Sequence, residues 1–206
     1  MDHIFFCSYL VGAIPTGYLF AKYFFDVDIT KEGSGNIGAT NSARVLGGVK
    51  YFFLIFLLDA GKAFGLLFYF TGGRRDGLMY SDFYPYGDSI IVVMAMMIII
   101  GNSYSCFLNL RGGKGVATLI GIIAVLAPVS FTISLLLIWG LLFAYFRKVD
   151  AASLLALIVS LFIYRVFFYA QYFEFMYFLL FAFVWLCIRH QSNIQVWISS
   201  YSQKSK

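Results

Sequence analysis

Charge is scarce in this chain. Only 12% of its 206 residues are Asp, Glu, Lys or Arg, 61% are hydrophobic, and the mean hydropathy is +0.83. A soluble domain is about half apolar and a quarter charged, so a soluble globular fold is excluded. Long polar stretches are lacking too. None could fold as a separate soluble unit, and residues 1–206 read as a single polytopic membrane domain. The three cysteines, Cys7, Cys106 and Cys187, are far apart and form no CxxC pair. That excludes a disulfide framework and a structural zinc site. There is no HExxH, no GxSxG elbow and no other metal-ligand spacing, and nothing suggests nucleic acid as a partner. The first apolar run, Ile4–Phe25, has no basic segment before it, and Lys22 near its far end is its only charge. It reads as a membrane span and not as a cleaved signal peptide.

The apolar runs define the rest. Ile4–Phe25 is interrupted by Gly12-Ala13-Ile14-Pro15-Thr16-Gly17, which predicts a kink with close helix approach. Asp26–Arg44 is a glycine-rich loop. Leu46–Phe70 is the second span, although Gly47-Gly48 can belong to the loop, and Asp88–Leu108 is the third. Val116–Phe146 carries Pro128 near its centre; at ~1.5 Å per residue it would make a helix of roughly 46 Å, long for one crossing of a core of about 30 Å and short for two. Ala151–Tyr169 and Tyr172–Ile188 follow, then a polar, basic end.

Charge decides the crossing number. If Val116–Phe146 crosses twice, Lys22, Lys31, Arg44, Lys50, Arg111, Lys114, Arg147, Lys148, Arg189, Lys204 and Lys206 share one face, and Arg74, Arg75 and Arg165 the other. That is 11 against 3, with Lys62 left out as intramembrane; a single crossing gives 7 against 7. The positive-inside bias selects two crossings. The expected fold is therefore an all-α integral membrane protein with seven transmembrane helices, N-terminus outside and C-terminus cytoplasmic.

Three polar segments then gather on the cytoplasmic face. The first is Gly33-Ser34-Gly35-Asn36-Ile37-Gly38-Ala39-Thr40-Asn41, with Arg44 three residues on. Its glycines let the backbone enter φ > 0 regions and turn N–H groups inward as an anion-binding nest. Ser34, Asn36, Thr40 and Asn41 add donors, and Arg44 adds a planar fork suited to phosphate. The second is Gly112-Gly113-Lys114-Gly115-Val116-Ala117-Thr118, opening a helix whose first N–H groups attract anions. Lys114 contributes a point charge and Thr118 a hydroxyl one turn in. The third is Arg189-His190-Gln191-Ser192-Asn193-Ile194, where His190 and Asn193 share a face if the helix continues. Together these hold more donors than one phosphate requires, and two anionic groups suit them. Competing readings are a flexible connector for the first loop, a topology signal for Arg111 and Lys114, and an interfacial histidine for His190. Asp59 and Lys62, three apart in the second span, read equally as a functional pair or a structural one.

Other motifs fail. Gly33-x-Gly35-x-x-Gly38 spells a dinucleotide fingerprint but follows no strand. Gly-Gly-Lys-Gly lacks the spacing of a P-loop. Cys106 has no histidine near it in sequence to activate a thiol.

With these residues in view, the chain resembles PlsY, the acyl-phosphate-dependent glycerol-3-phosphate acyltransferases of bacterial membranes. The resemblance covers nearly the whole chain. Its marks are Tyr9–Tyr18, Gly33–Asn41 with Arg44 and Leu46-Gly47, Asp59 with Lys62, Gly112–Thr118, and Arg189-His190 with Asn193-Ile194. It implies transfer of an acyl group from acyl phosphate to the sn-1 hydroxyl of glycerol 3-phosphate, without cofactor or metal. It implies a multi-pass protein of the bacterial inner membrane with its active site facing the cytoplasm. It also implies a functional link to the soluble enzyme that makes acyl phosphate. Ser34, Arg44, Lys114, His190 and Asn193 would be the catalytic set; Gly33, Gly35, Asn36, Gly38, Thr40, Asn41, Gly112, Gly113, Gly115 and Thr118 would bind the phosphates. Departures are Asn102 where the family carries histidine, Ser105 where it carries proline, Arg111 for lysine and Ala13 for serine. A transporter or anion channel is the rival class, supported by Asp59/Lys62 and the broken long helix; a purely structural membrane protein comes third.

Overall fold

The structure is a computed structural model that describes residues 2–73, 87–167 and 173–204. Among these residues it is helical, with no strand beyond one isolated bridge between Ser105 and Arg111. The helices are α1 (Asp2–Ala13), α2 (Thr16–Phe25), α3 (Ala39–Leu46), α4 (Val49–Phe70), α5 (Gly87–Ser103), α6 (Val116–Leu126), α7 (Val129–Phe146), α8 (Val149–Phe167), α9 (Phe173–Arg189) and α10 (Gln191–Lys204).

Three of them, α4, α7 and α8, are long and apolar enough to cross a membrane. The bent pairs α1–α2 and α9–α10 raise that to five, with bends of 41° and 64°; α5 and α6 are apolar but shorter. The first bend falls at Ile14-Pro15, where proline supplies no N–H to continue the ladder. The long run breaks at Ala127-Pro128, and Pro128 caps α7. The first loop is shorter than expected: Ala39–Leu46 is a helix closed by left-handed Gly47, so Thr40, Asn41 and Arg44 sit on α3. Arg74 and Arg75, which the charge count sets opposite the other cations, lie outside the described residues.

The core joins α4 to α9 through Ile98, Ile99, Ile122, Ile123, Phe131, Leu157, Phe175 and Phe178, all buried. Lipid is as apolar as these side chains, so association depends on close packing and internal polar bonds. Glycine makes the closest approaches. A Cβ on Gly12 would lie 2.1 Å from the Ile98 carbonyl oxygen, and one on Gly101 2.1 Å from that of Tyr9, so α1 and α5 meet backbone to backbone. Gly121 meets Ala60 in the same way where α6 crosses α4.

The polar bond is the buried pair of α4. Lys62 Nζ lies 2.7 Å from Asp59 Oδ1 and donates to the Ile14 carbonyl at 2.8 Å and to Asn102 Oδ1 at 2.9 Å. Three acceptors match the three ammonium protons. Asp59 also accepts the Thr16 hydroxyl at 2.6 Å. The pair therefore fastens the α1–α2 break to α4 and α5. Ser105, without proline's fixed geometry, holds the turn after α5 by donating to the Ala13 carbonyl at 2.6 Å.

The glycine contacts give a test. Gly12→Ala and Gly101→Ala should each lower the thermal midpoint in detergent, by a loss of about 1–3 kcal/mol, because backbone must shift to admit the methyl group. Gly140→Ala, with nothing within 4 Å, should leave it unchanged or raise it. Equal effects at all three positions would contradict the backbone-contact account.

Candidate active site

The first loop is held by its own asparagines. Gly33 and Gly35 adopt left-handed backbone, with φ of +59° and +70°. Gly38 does not; it is the extended N-cap of α3. Asn41, 2% exposed, accepts the Ser34 N–H at 2.9 Å and donates to the carbonyls of Glu32 and Ile29. Asn36 accepts the Gly38 N–H at 2.8 Å, and Gly35 N donates to Glu32. The backbone donors at Ser34, Gly35 and Gly38 are therefore spent within the loop, and both amide groups of Asn41 bond to it. Upstream, the Thr30 hydroxyl donates to Asp28 at 2.6 Å, and that bond lowers the carboxyl below its ordinary value. Facing the cavity are the Ser34 and Thr40 side chains, the first residues of α3, and Arg44, which has no ion-pair partner among the described residues.

The second loop is seated on α5 and α9. Gly113 N donates to the Asn102 carbonyl at 2.8 Å. Arg189 Nη2 donates to the carbonyls of Gly113 at 3.2 Å and Gly112 at 3.4 Å, while its guanidinium stacks over Tyr104 at 4.7 Å. Gly112 is required by contact: a Cβ there would meet the Asn102 and Ser103 carbonyl oxygens at 2.4 and 2.5 Å. Gly115, with φ of +91°, turns the chain into α6. The loop's fixed course brings Lys114 Nζ to 2.6 Å from Asp150 Oδ1 and 3.1 Å from Asn193 Oδ1.

The third segment does not continue α9. His190 is the turn residue before α10, and the 64° bend, rather than a shared helical face, sets Asn193 beside Lys114. His190 is 1% exposed. Its Nδ1 is 2.8 Å from the Leu186 carbonyl, which can only accept, so that nitrogen carries a proton. Its Nε2 is 3.3 Å from Asp150 Oδ1 without hydrogen-bond alignment. Asn193 Nδ2 donates to the other Asp150 oxygen.

These groups line one cavity of about 660 Å³. Ser34, Asn36, Gly38, Thr40, Asn41, Arg44, Gly113, Lys114, Gly115, His190 and Asn193 are in its wall. Gly33, Gly35 and Gly112 are not; they shape the loops from behind. Thr118 is also absent from the wall: its hydroxyl is fully buried and unpartnered inside the bundle, since one turn into α6 already faces the core. The remaining wall is apolar, from Phe52, Phe53, Phe56 and Leu57 of α4, Ile120 of α6, and Leu136 and Trp139 of α7. Trp139 is fixed by a 3.1 Å bond to Ser153. No cysteine lines it. Asp59 and Asn102 reach the wall as well, so the buried pair adjoins the cavity. The sequence reading missed Asp150, Arg189 as a loop clamp, and the apolar wall. An acidic residue on the membrane face that the charge count shares with Lys114 was the available signal for Asp150.

This arrangement can hold phosphorylated groups at one end and an acyl chain at the other. The family model described as glycerol-3-phosphate acyltransferase matches residues 3–200. A protein of that name from Fusobacterium nucleatum subsp. nucleatum is 36% identical over 206 residues, covering 98% of each chain. One from Staphylococcus haemolyticus is 39% identical over 153 residues, covering 73% of this chain and 72% of its own. Crystal structures of PlsY (YgiH), an integral membrane glycerol 3-phosphate acyltransferase, superpose with TM-scores of 0.82 for the glycerol 3-phosphate form and 0.80 for the lysophosphatidic acid form. Both are 28% identical and cover 97% of this chain and 92% of theirs. Sequence, fold and cavity thus lead to one family, and this chain belongs to the PlsY glycerol-3-phosphate acyltransferases, integral membrane enzymes of lipid biosynthesis.

Proposed function

We propose that the enzyme transfers a fatty acyl group from acyl phosphate to the sn-1 hydroxyl of glycerol 3-phosphate, at a site facing the cytoplasm of a bacterial inner membrane. The observation that carries this reading is a single cavity that joins Arg44, without an ion-pair partner among the described residues, and Lys114, paired with Asp150, to a wall of aromatic and aliphatic side chains. The cationic end suits the phosphates of donor and acceptor, and the apolar wall suits the fatty chain.

The chemistry then follows from the donor. The glycerol hydroxyl attacks the acyl carbonyl, the bond from carbonyl carbon to phosphate oxygen breaks, and the hydroxyl proton passes to the departing phosphate. Lysophosphatidic acid and inorganic phosphate are the products, and atoms and charge balance without a protein nucleophile. The protein's tasks are to bring two anions together and to stabilise charge on the leaving phosphate. Arg44 offers a bidentate fork and Lys114 a point charge. Ser34 and Thr40 donate hydroxyls, Asn36 and Asn193 orient the partners, and the start of α6 faces the anions. His190 takes part through Nε2, because Nδ1 is committed to Leu186. A soluble enzyme that generates acyl phosphate is the natural supplier.

We read seven crossings, α1–α2, α4, α5, α6, α7, α8 and α9, with α5 and α6 apolar but shorter than α4, α7 and α8. The break at Pro128 supports separate α6 and α7 crossings, and the charge count supports a cytoplasmic C-terminus.

Purified protein in lipid should release phosphate and form lysophosphatidic acid when given acyl phosphate and glycerol 3-phosphate. Turnover with acyl-CoA or acyl carrier protein instead would reject the donor assignment, and no turnover with any donor would reject the assigned reaction. Removing one partner from a desolvated charged contact costs about 2–5 kcal/mol, so Lys114→Ala should lower kcat/KM roughly 30-fold to several thousand-fold. Arg44→Lys should also lose activity, because it keeps charge but not the fork. Arg147→Ala, exposed and outside the cavity, is the control and should change little; equal losses at Lys114 and Arg147 would move the anion site elsewhere.

Replacing Cys7, Cys106 and Cys187 together should preserve most activity, since none lines the cavity. In that background, a cysteine at Asp2 should react with an impermeant thiol reagent on intact cells, and one at Lys148 only after permeabilisation. Labelling of both from outside would refute the topology.

A further inference from the structure

A site for two phosphates ought to contain no carboxylate. The described residues of the cavity wall include two, Asp59 and Asp150. Asp59 is neutralised by Lys62. Asp150, in the first turn of α8, stands among the groups assigned to phosphate.

Its contacts form a closed figure. Oδ1 is 2.6 Å from Lys114 Nζ and 3.3 Å from His190 Nε2. Oδ2 accepts from Asn193 Nδ2, and Asn193 Oδ1 in turn accepts from Lys114 at 3.1 Å. The other nearby cation, Arg189, is turned onto the Gly112 and Gly113 carbonyls. Lys114 therefore spends two of its three ammonium protons on fixed partners and keeps one. A lysine is ordinarily a mobile point charge on a flexible stem. Held from two sides, it becomes a donor with one direction left. The ring of His190 is held through Nδ1 by the Leu186 carbonyl, with Nε2 3.3 Å from Asp150.

We propose that Asp150 is a positioning residue of the transfer reaction: it clamps Lys114 and Asn193 and leaves one ammonium N–H of Lys114 for the departing phosphate. The inference rests on the cavity being the acyl-transfer site. Asp150 touches no reacting atom; it acts through Lys114. Its negative charge is offset by Lys114 and does not stand against the substrate. The competing arrangement, in which the carboxylate merely fills the place of a phosphate and must leave, predicts the opposite kinetics.

The experiment is steady-state kinetics on Asp150→Ala, Asp150→Asn, Asp150→Glu, Lys114→Ala and the Asp150→Ala/Lys114→Ala double variant in lipid, with thermal midpoints recorded. Asp150→Ala and Asp150→Asn should lower kcat roughly 10- to 100-fold, the range of coupling between charged groups in contact, with KM for glycerol 3-phosphate nearly unchanged. Asp150→Glu should recover part of the loss. The double variant should be no slower than Lys114→Ala alone. The near-isosteric Asp150→Asn carries the test if Asp150→Ala does not fold. Multiplying losses in the double variant, or a lowered KM with unchanged kcat in Asp150→Ala, would overturn the proposal. Calorimetric binding of inorganic phosphate to the same proteins separates this inference from the reaction assigned above. If the wild type binds phosphate without transferring acyl groups, and binding falls equally in both single variants and the double, Asp150 still positions Lys114 and only the reaction is misassigned. If phosphate binds alike to all of them, the positioning role fails.

Discussion

A charge inside a membrane bundle must find its partners within the protein, and Lys62 meets that demand with three acceptors from three segments. Much of the site's architecture depends on this ion. It ties the carbonyl at the α1–α2 break to α4 and to Asn102 of α5. Asn102 then accepts the Gly113 N–H through its backbone. The lysine loop is thus anchored to the buried pair through a single residue. Asn102 can serve here because one amide oxygen is enough to complete the Lys62 shell, so this link needs no titratable group at that position.

Internal polar bonds also shape the loops. Neither glycine-rich segment is a slack connector. In the first, Asn36 and Asn41 bond to the loop's own backbone at Ser34, Gly38 and Glu32. In the second, Arg189 caps two carbonyls and stacks on Tyr104. Backbone donors at Ser34, Gly35, Gly38 and Gly113 are consumed in building the loops, and the side chains of Ser34, Thr40, Arg44 and Lys114 line the cavity. A rigid cationic rim beside an apolar wall suits a reaction in which the substrate brings its own activation and the protein supplies position and charge.

Several features were legible in the chain itself. The break near Pro15, the break at Pro128, the helix opening after Gly115 and the polar rim all follow from local rules about proline, glycine and hydropathy. Local rules also misled. Thr118 looked like a site hydroxyl because it lies one turn past Lys114, yet that turn already faces the core. Asn41, polar in a polar loop, lines the cavity and also bonds the loop's own backbone, a contact its sequence neighbours do not announce. His190 and Asn193 were joined by assuming a continuous helix, whereas the bend between α9 and α10 is what brings Asn193 to Lys114.

By itself, the sequence determined that the chain is a helical membrane protein, that its basic glycine-rich segments share a face, and which family it resembles. Those conclusions depend on composition and on neighbours close along the chain. Only the tertiary structure decided that Asp150 meets Lys114 across 36 positions, that Asn193 meets it across 79, and that Lys62 reaches Ile14 and Asn102. Such pairings carry no local signature. They depend on where helices cross, and the crossings depend on glycines whose missing side chains let two backbones touch.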